Sequence, residues 1–246
     1  MAQGMRKLNE AIAALPEVRE LLLSLDAGTS PIAVSGLSGV HRAQLISAVR
    51  EKTQRPLLIV CADENEANRM ALDLTALLGE EASLLFAREW QLRDRVAASH
   101  GWEQQRIGSL CRLAAGEAPV LVATVDGLMQ RTLPPDALHS AVTQITPGAR
   151  FDLNALSKKL VESGYTRAET VEGVGQFALR GGILDVYSPA CENPLRAEFF
   201  GDELDTMGYF DPITQRRTEN VEEAVLLPVA ETEAHLHPQG TAGLCE

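Results

Sequence analysis

Four short apolar runs, PIAVSG (31–36), PLLIVCA (56–62), ASLLFA (82–87) and PVLVATV (119–125), alternate with stretches of helical periodicity. PLLIVCA in particular is apolar at consecutive positions, the pattern of a strand buried on both faces. Hairpins need only a few residues between strands, whereas parallel strands need a crossover long enough to hold a helix. The alternation therefore predicts a parallel α/β sheet with helices over 41–54, 64–78 and 103–116 and a short helical turn over 126–131. Ahead of it, apolar residues at helical spacing from Leu8 to Leu25, interrupted by Pro16, predict one or two further helices.

The first run leads into a glycine turn and a helix start, the outline of a phosphate-binding loop. The pattern G-x-x-x-x-G-K-[ST] laid on Gly36 gives Gly36-Leu37-Ser38-Gly39-Val40-His41-Arg42-Ala43. His41 takes the second glycine's place and narrows the cradle. Arg42 replaces the lysine, exchanging a compact point charge for a wide fork. Ala43 removes the hydroxyl that binds magnesium. The expectation is a degenerate loop without cofactor, kept because a strand must still turn tightly into a helix and glycine permits it. Free N–H groups at the helix start leave anion binding open. The rival reading is a divergent P-loop NTPase or helicase half whose Arg42 still contacts phosphate.

Beyond residue 141 the pattern changes. An amphipathic helix over 152–164, capped by Asp152 and stopped by Gly164, precedes the strand-like pieces YTRAETV, GQFALRGGILDVYS and LRAEFFGDELDTMGYF. Glycine turns between adjacent short strands predict an antiparallel sheet, hence an α+β domain. The expected divisions are an α/β domain over 1–141, the α+β domain over 142–220, and a segment over 221–246 that returns to the first domain.

A net charge of −12 and a pI near 4.9 speak against a general nucleic-acid surface, which needs a basic face to neutralise phosphates. A DNA clamp is accordingly the weakest reading, and the group Trp90, Trp102, Arg93, Arg95 and Arg106 is read as packing. Four cysteines without a C-x-x-C pair or companion histidines suggest neither a metal site nor a disulfide framework. Asp63 in ADENEAN is read as a helix N-cap rather than a metal ligand. No nucleophile elbow is present, so there is no catalytic candidate. With no secretory signal and no apolar run of ~18 residues, the expectation is a cytoplasmic protein without a membrane span.

Four ordered motifs, GYTR, GQFALRGGILDVYSP, LRAEFFGDELD and FDPITQR, resemble the second domain of the UvrB family of excision-repair helicases and the matching module of bacterial transcription-repair coupling factors. The degenerate loop and the short segment 88–102, where UvrB carries a DNA-clamping insertion, resemble the coupling-factor version. The resemblance implies a P-loop-like α/β domain with an inserted UvrB-domain-2-like domain. It also implies a non-catalytic adaptor that recruits UvrA to stalled RNA polymerase. Carried over by position, the UvrA-binding candidates are Arg167, Arg180, Arg196 and Glu198; Tyr187 is a further candidate, either a rim aromatic or simply a strand residue. Ala178 stands where UvrB has another basic residue, so one charge of the family patch is missing. Arg196 and Glu198, two apart on one strand face, have the alternative of simply pairing with each other. Contacts to RNA polymerase and DNA, and the ATP and magnesium of a motor, are implied only for the remainder of a full-length chain.

Overall fold

The structure is a computed structural model that describes residues 2–88, 100–229 and 231. It divides into two compact units, residues 1–88 with 116–130, and residues 89–115 with 131–246.

The first unit begins with α1 (Ala2–Ala13) and α2 (Pro16–Asp26). Pro16 occupies the first turn of α2, where its missing N–H goes unused. Then follow α3 (Gly39–Thr53), β1 (Leu57–Cys61), α4 (Glu64–Leu78) and β2 (Ser83–Leu85). After α5 (His100–Ala114), which belongs to the second unit, come β3 (Val120–Thr124) and α6 (Val125–Met129). The strands form a parallel sheet in the order β1-β3-β2, with β3 wholly buried. Ala43, Ala67, Met70, Leu74, Val120 and Val122 make up its core. Helix α4 starts where expected, because the Asp63 carboxylate accepts the Glu66 N–H at 2.8 Å, and it stops at Gly79 in a left-handed conformation.

Two expectations are corrected in this unit. PIAVSG forms no strand: residues 31–36 are irregular and largely exposed. An apolar run becomes a strand only when a neighbour takes its backbone hydrogen bonds, and no described strand pairs with it. Nor is β1 buried on both faces, since Leu58 and Val60 alternate outward.

The second unit contains α5, α7 (Pro135–Ala141), β4 (Thr143–Ile145) and α8 (Leu153–Glu162). Its chain continues through β5 (Thr166–Arg167), β6 (Gln176–Arg180), β7 (Ile183–Val186), β8 (Leu195–Phe200), β9 (Glu203–Phe210), β10 (Arg217–Asn220) and β11 (Ala224–Leu226). Six strands form one sheet in the order β10-β9-β8-β7-β6-β5, antiparallel throughout except for β5 against β6. Phe177, Leu184, Val186, Leu195, Ala197 and Met207 fill one face of it and share a core with Leu156 and Leu160 of α8. Asp152 caps α8 as read from the sequence, accepting the N–H groups of Asn154 and Ala155.

The expected divisions at 141 and 220 are not where the units part. Strand β11 pairs antiparallel with β4, and Ala224 and Leu226 are buried in the second unit's own core. Helix α5 joins the same unit through an ion pair in which Arg106 Nε donates to Glu231 Oε2 at 2.9 Å, both side chains being 2% exposed. Arg106 is thereby taken out of any aromatic and basic patch. Arg93, Arg95 and Trp90 lie outside the described residues, as does the side chain of Trp102. Periodicity along a chain reports burial but not which sheet edge a strand will join, so a returning strand and a local one look alike.

Candidate functional site

Alternation along β7 and β8 sends Ile183, Asp185, Arg196, Glu198 and Phe200 to the sheet face opposite the α8 core. The register sets them side by side: Asp185 lies opposite Ala178 and Arg196, and Ile183 opposite Arg180 and Glu198. Asp185 is completely buried. An ionised carboxylate out of water needs both charge partners and hydrogen bonds. Arg196 supplies a two-point clamp, Nε to Oδ1 at 2.6 Å and Nη2 to Oδ2 at 2.9 Å. Arg180 adds a third bond, Nη2 to Oδ2 at 2.6 Å. Two cations on one anion leave a local surplus of one positive charge.

The two arginines are held differently. Arg196 keeps only 20% of its side chain exposed, stacks its guanidinium 4.5 Å from the centre of the Phe210 ring, and donates Nη1 to the Gln215 carbonyl at 3.3 Å. Its hydrogen bond to Asp185 pushes its pKa above the usual arginine value. Arg180 is 53% exposed and, besides Asp185, reaches only the Glu169 carbonyl at 3.3 Å. Arg196 is therefore built into the sheet face, and Arg180 is the cation that presents itself to solvent.

The alternative in which Arg196 pairs with Glu198 is not what forms. Glu198 faces Arg217 instead, with Nη1 to Oε1 at 3.4 Å. Arg180, Arg196 and Glu198 are thus brought together on one face. Arg167 is not: it is exposed on the two-residue strand β5 and shares register with Phe177, on the opposite side of the sheet. Tyr187 is on the Asp185 side by alternation, half-buried against Val171, Ala178 and Phe210, and its hydroxyl donates to the Glu192 carbonyl at 2.7 Å. Gly181 has a φ of +60°, and a Cβ on Gly182 would meet the Phe199 carbonyl oxygen at 2.7 Å, so both glycines are needed to set Arg180 at the mouth of its hairpin.

Three members of this face were not picked out from the sequence. Asp185 had a signal: an acid between Leu184 and Val186 in an otherwise apolar strand must have a partner. Phe200, 86% exposed at the end of β8, follows Arg196 and Glu198 by alternation, but neither it nor the half-exposed Ile183 shows in the sequence whether that face is covered. Phe199 packs inward, edge-on to Phe151 with ring centroids 6.2 Å apart.

At the degenerate loop, Gly36 has a φ of +83° and Gly39 opens α3. His41 Nδ1 lies 2.8 Å from the Ser38 hydroxyl. Arg42 turns away to α4, donating Nη1 to Glu66 Oε1 at 2.7 Å, while Glu66 Oε2 accepts the Ala62 N–H at 3.1 Å. That backbone bond, then Arg42, hold the Glu66 carboxyl below the usual range. Ala43 is fully buried among Ala67, Met70 and Leu74, so its methyl is part of the core. Among the described residues no cluster of histidine, cysteine and acidic side chains could hold a metal ion, and no helix is long and apolar enough to cross a membrane.

The family described as the UvrB interaction domain matches residues 143–231, which include every strand of the six-stranded sheet. Transcription-repair-coupling factors are similar over most of the chain. That of Myxococcus xanthus is 34% identical over 208 residues, 81% of this chain and 17% of the relative. That of Bacillus subtilis is 31% identical over 216 residues, 87% and 18%. That of Escherichia coli is 29% identical over 217 residues, 88% and 19%. The chain spans less than a fifth of the length of these curated relatives. It belongs to the transcription-repair-coupling factor family and corresponds to the UvrB-like module at the N-terminal end of that family's proteins.

Proposed function

We propose that this module is a non-catalytic adaptor of transcription-coupled repair that docks UvrA on the Asp185 face of its second unit. The carrying observation is the half-exposed Arg180, pinned through Asp185 beside the exposed Ile183 and Phe200. A cation held in place loses little freedom when it meets a partner carboxylate, and the apolar side chains beside it can shield that contact from water. The match to the UvrB interaction domain, with the motif resemblance to UvrB's second domain, supports the choice of partner. Contacts with RNA polymerase and DNA, and an ATP-driven motor, are assigned to the remaining length of the larger relatives. Cytoplasmic residence goes with that reading.

Calorimetric titration of UvrA into the protein without nucleotide tests it. Arg180→Ala is expected to weaken binding ~30-fold, the loss typical of a central hot spot, with unfolding unchanged to within ~1 kcal/mol because its ion pair is half in water. Binding equal to the parent's would remove Arg180 from the interface.

The module would act without nucleotide. Arg42 is already neutralised by Glu66, and position 43 has neither a hydroxyl nor access to solvent. ATP with magnesium is accordingly expected to leave the thermal unfolding curve in place. A working nucleotide site would add ~2.7 kcal/mol at a ligand concentration 100 times the dissociation constant, and a shift of that size would favour the NTPase reading.

A further inference from the structure

The turn between β9 and β10, residues 211–216, holds Ile213 with 90% of its surface in water. Exposed apolar residues are common where a loop is loose, but this turn is fixed at both ends. The Asp211 carboxylate accepts the N–H groups of Ile213 at 3.0 Å and Thr214 at 2.7 Å. The Asp211 N–H donates to the Arg216 carbonyl and the Gln215 N–H to the Asp211 carbonyl. Gln215 carries a φ of +60°, a conformation that non-glycine residues adopt at a cost. Its side chain offsets that cost by donating to the carbonyls of Val171 and Pro212. Its carbonyl accepts Arg196 Nη1, so one hydrogen-bonded network runs from Asp185 through Arg196 into the turn.

The same turn exposes Arg216, which has no ion-pair partner among the described residues. Together, the face and the turn carry the exposed cations Arg180 and Arg216 beside the ion-paired Arg196 and Arg217, in a chain of net charge −12. Apolar side chains flank this charged centre on both sides, Ile183 and Phe200 at one end and Ile213 at the other.

We propose that Ile213 is a second, apolar anchor of the UvrA-docking face, seated in an apolar hollow of the partner whose rim carries the carboxylates that meet Arg180 and Arg216. The inference rests on the docking reading given above and extends it to a residue outside the strands. The fixed turn makes the anchor effective, because little backbone freedom is left to lose on binding.

The test is titration of purified UvrA against the parent protein, Ile213→Asp, Ile213→Leu and Arg180→Ala, each checked for an unchanged unfolding curve. Ile213→Asp is expected to weaken binding at least ~10-fold, as loss of an interface anchor does, while Ile213→Leu binds like the parent. If Arg180→Ala weakens binding and Ile213→Asp does not, the anchor is refuted and the docking face stands. Should neither variant change the affinity, or the parent not bind at all, the docking reading fails together with the anchor.

Discussion

Asp185→Ala is expected to lower the unfolding free energy by about 3–5 kcal/mol, the cost of removing one member of a buried ion pair and leaving its partner's charge behind. The geometry gives the reason. Asp185 is completely buried and receives three hydrogen bonds from two guanidinium groups at 2.6–2.9 Å. Without the carboxylate, Arg196 is left beneath the surface above Phe210 with Nε and Nη2 deprived of their strongest acceptor, and Arg180 adds a like charge beside it. Arg180 can swing into water and Arg196 cannot, so most of the loss falls on Arg196. Urea unfolding followed by circular dichroism measures the effect. A midpoint equal to the parent's would show that the cluster is a surface arrangement with no weight in the fold. UvrA binding should fall as well, even at temperatures where the variant is folded, because Arg180 then has no fixed direction.

Arg106→Ala is the second large effect, again about 3–5 kcal/mol by the same rule for buried pairs. Here both partners are 2% exposed, and neither can reach solvent by a change of rotamer. Helix α5 is tied by this pair to the residue five positions past β11, a sequence separation of 125. The double variant Arg106→Met with Glu231→Leu is expected to recover most of the stability, since apolar side chains of similar volume often replace a buried pair without loss. If the double variant is as unstable as the single one, the further partners of Arg106 and Glu231, and not their mutual attraction, carry the stability.

The reading from sequence succeeded where the signal was local. Asp63 and Asp152 begin their helices because a cap depends on its own few neighbours. The β1, β2 and β3 runs form a parallel sheet because helices lie between them. It failed where the answer depended on distant partners. PIAVSG carries the composition of a strand yet pairs with nothing described, and the 224–226 strand found its edge at β4, about eighty residues earlier in the chain. The candidate face followed the same division. Arg180, Arg196 and Glu198 were named through motif resemblance, but the carboxylate that organises the arginines and the aromatic beside them were not. A buried acid announces only that it needs a partner, and an exposed phenylalanine looks like a core one until the far side of its sheet is known.

The two-stranded ribbon of β4 and β11 has a mechanical consequence. Thr143 is paired with Leu226 and Ile145 with Ala224, so the chain enters and leaves the ribbon at the same end. Tension drawn through those two exits pulls the strands apart crosswise and opens the hydrogen bonds one after another, as a zipper opens, instead of shearing them all at once. The chain past β11 is held as well, Val229 N–H by the Ser163 carbonyl and the Leu227 carbonyl by the Tyr165 hydroxyl, so tension reaches the ribbon only after those bonds give. The ribbon is thus a second fastening of the unit's two ends, one that opens bond by bond while the core contacts of Ala224 and Leu226 hold it to the sheet.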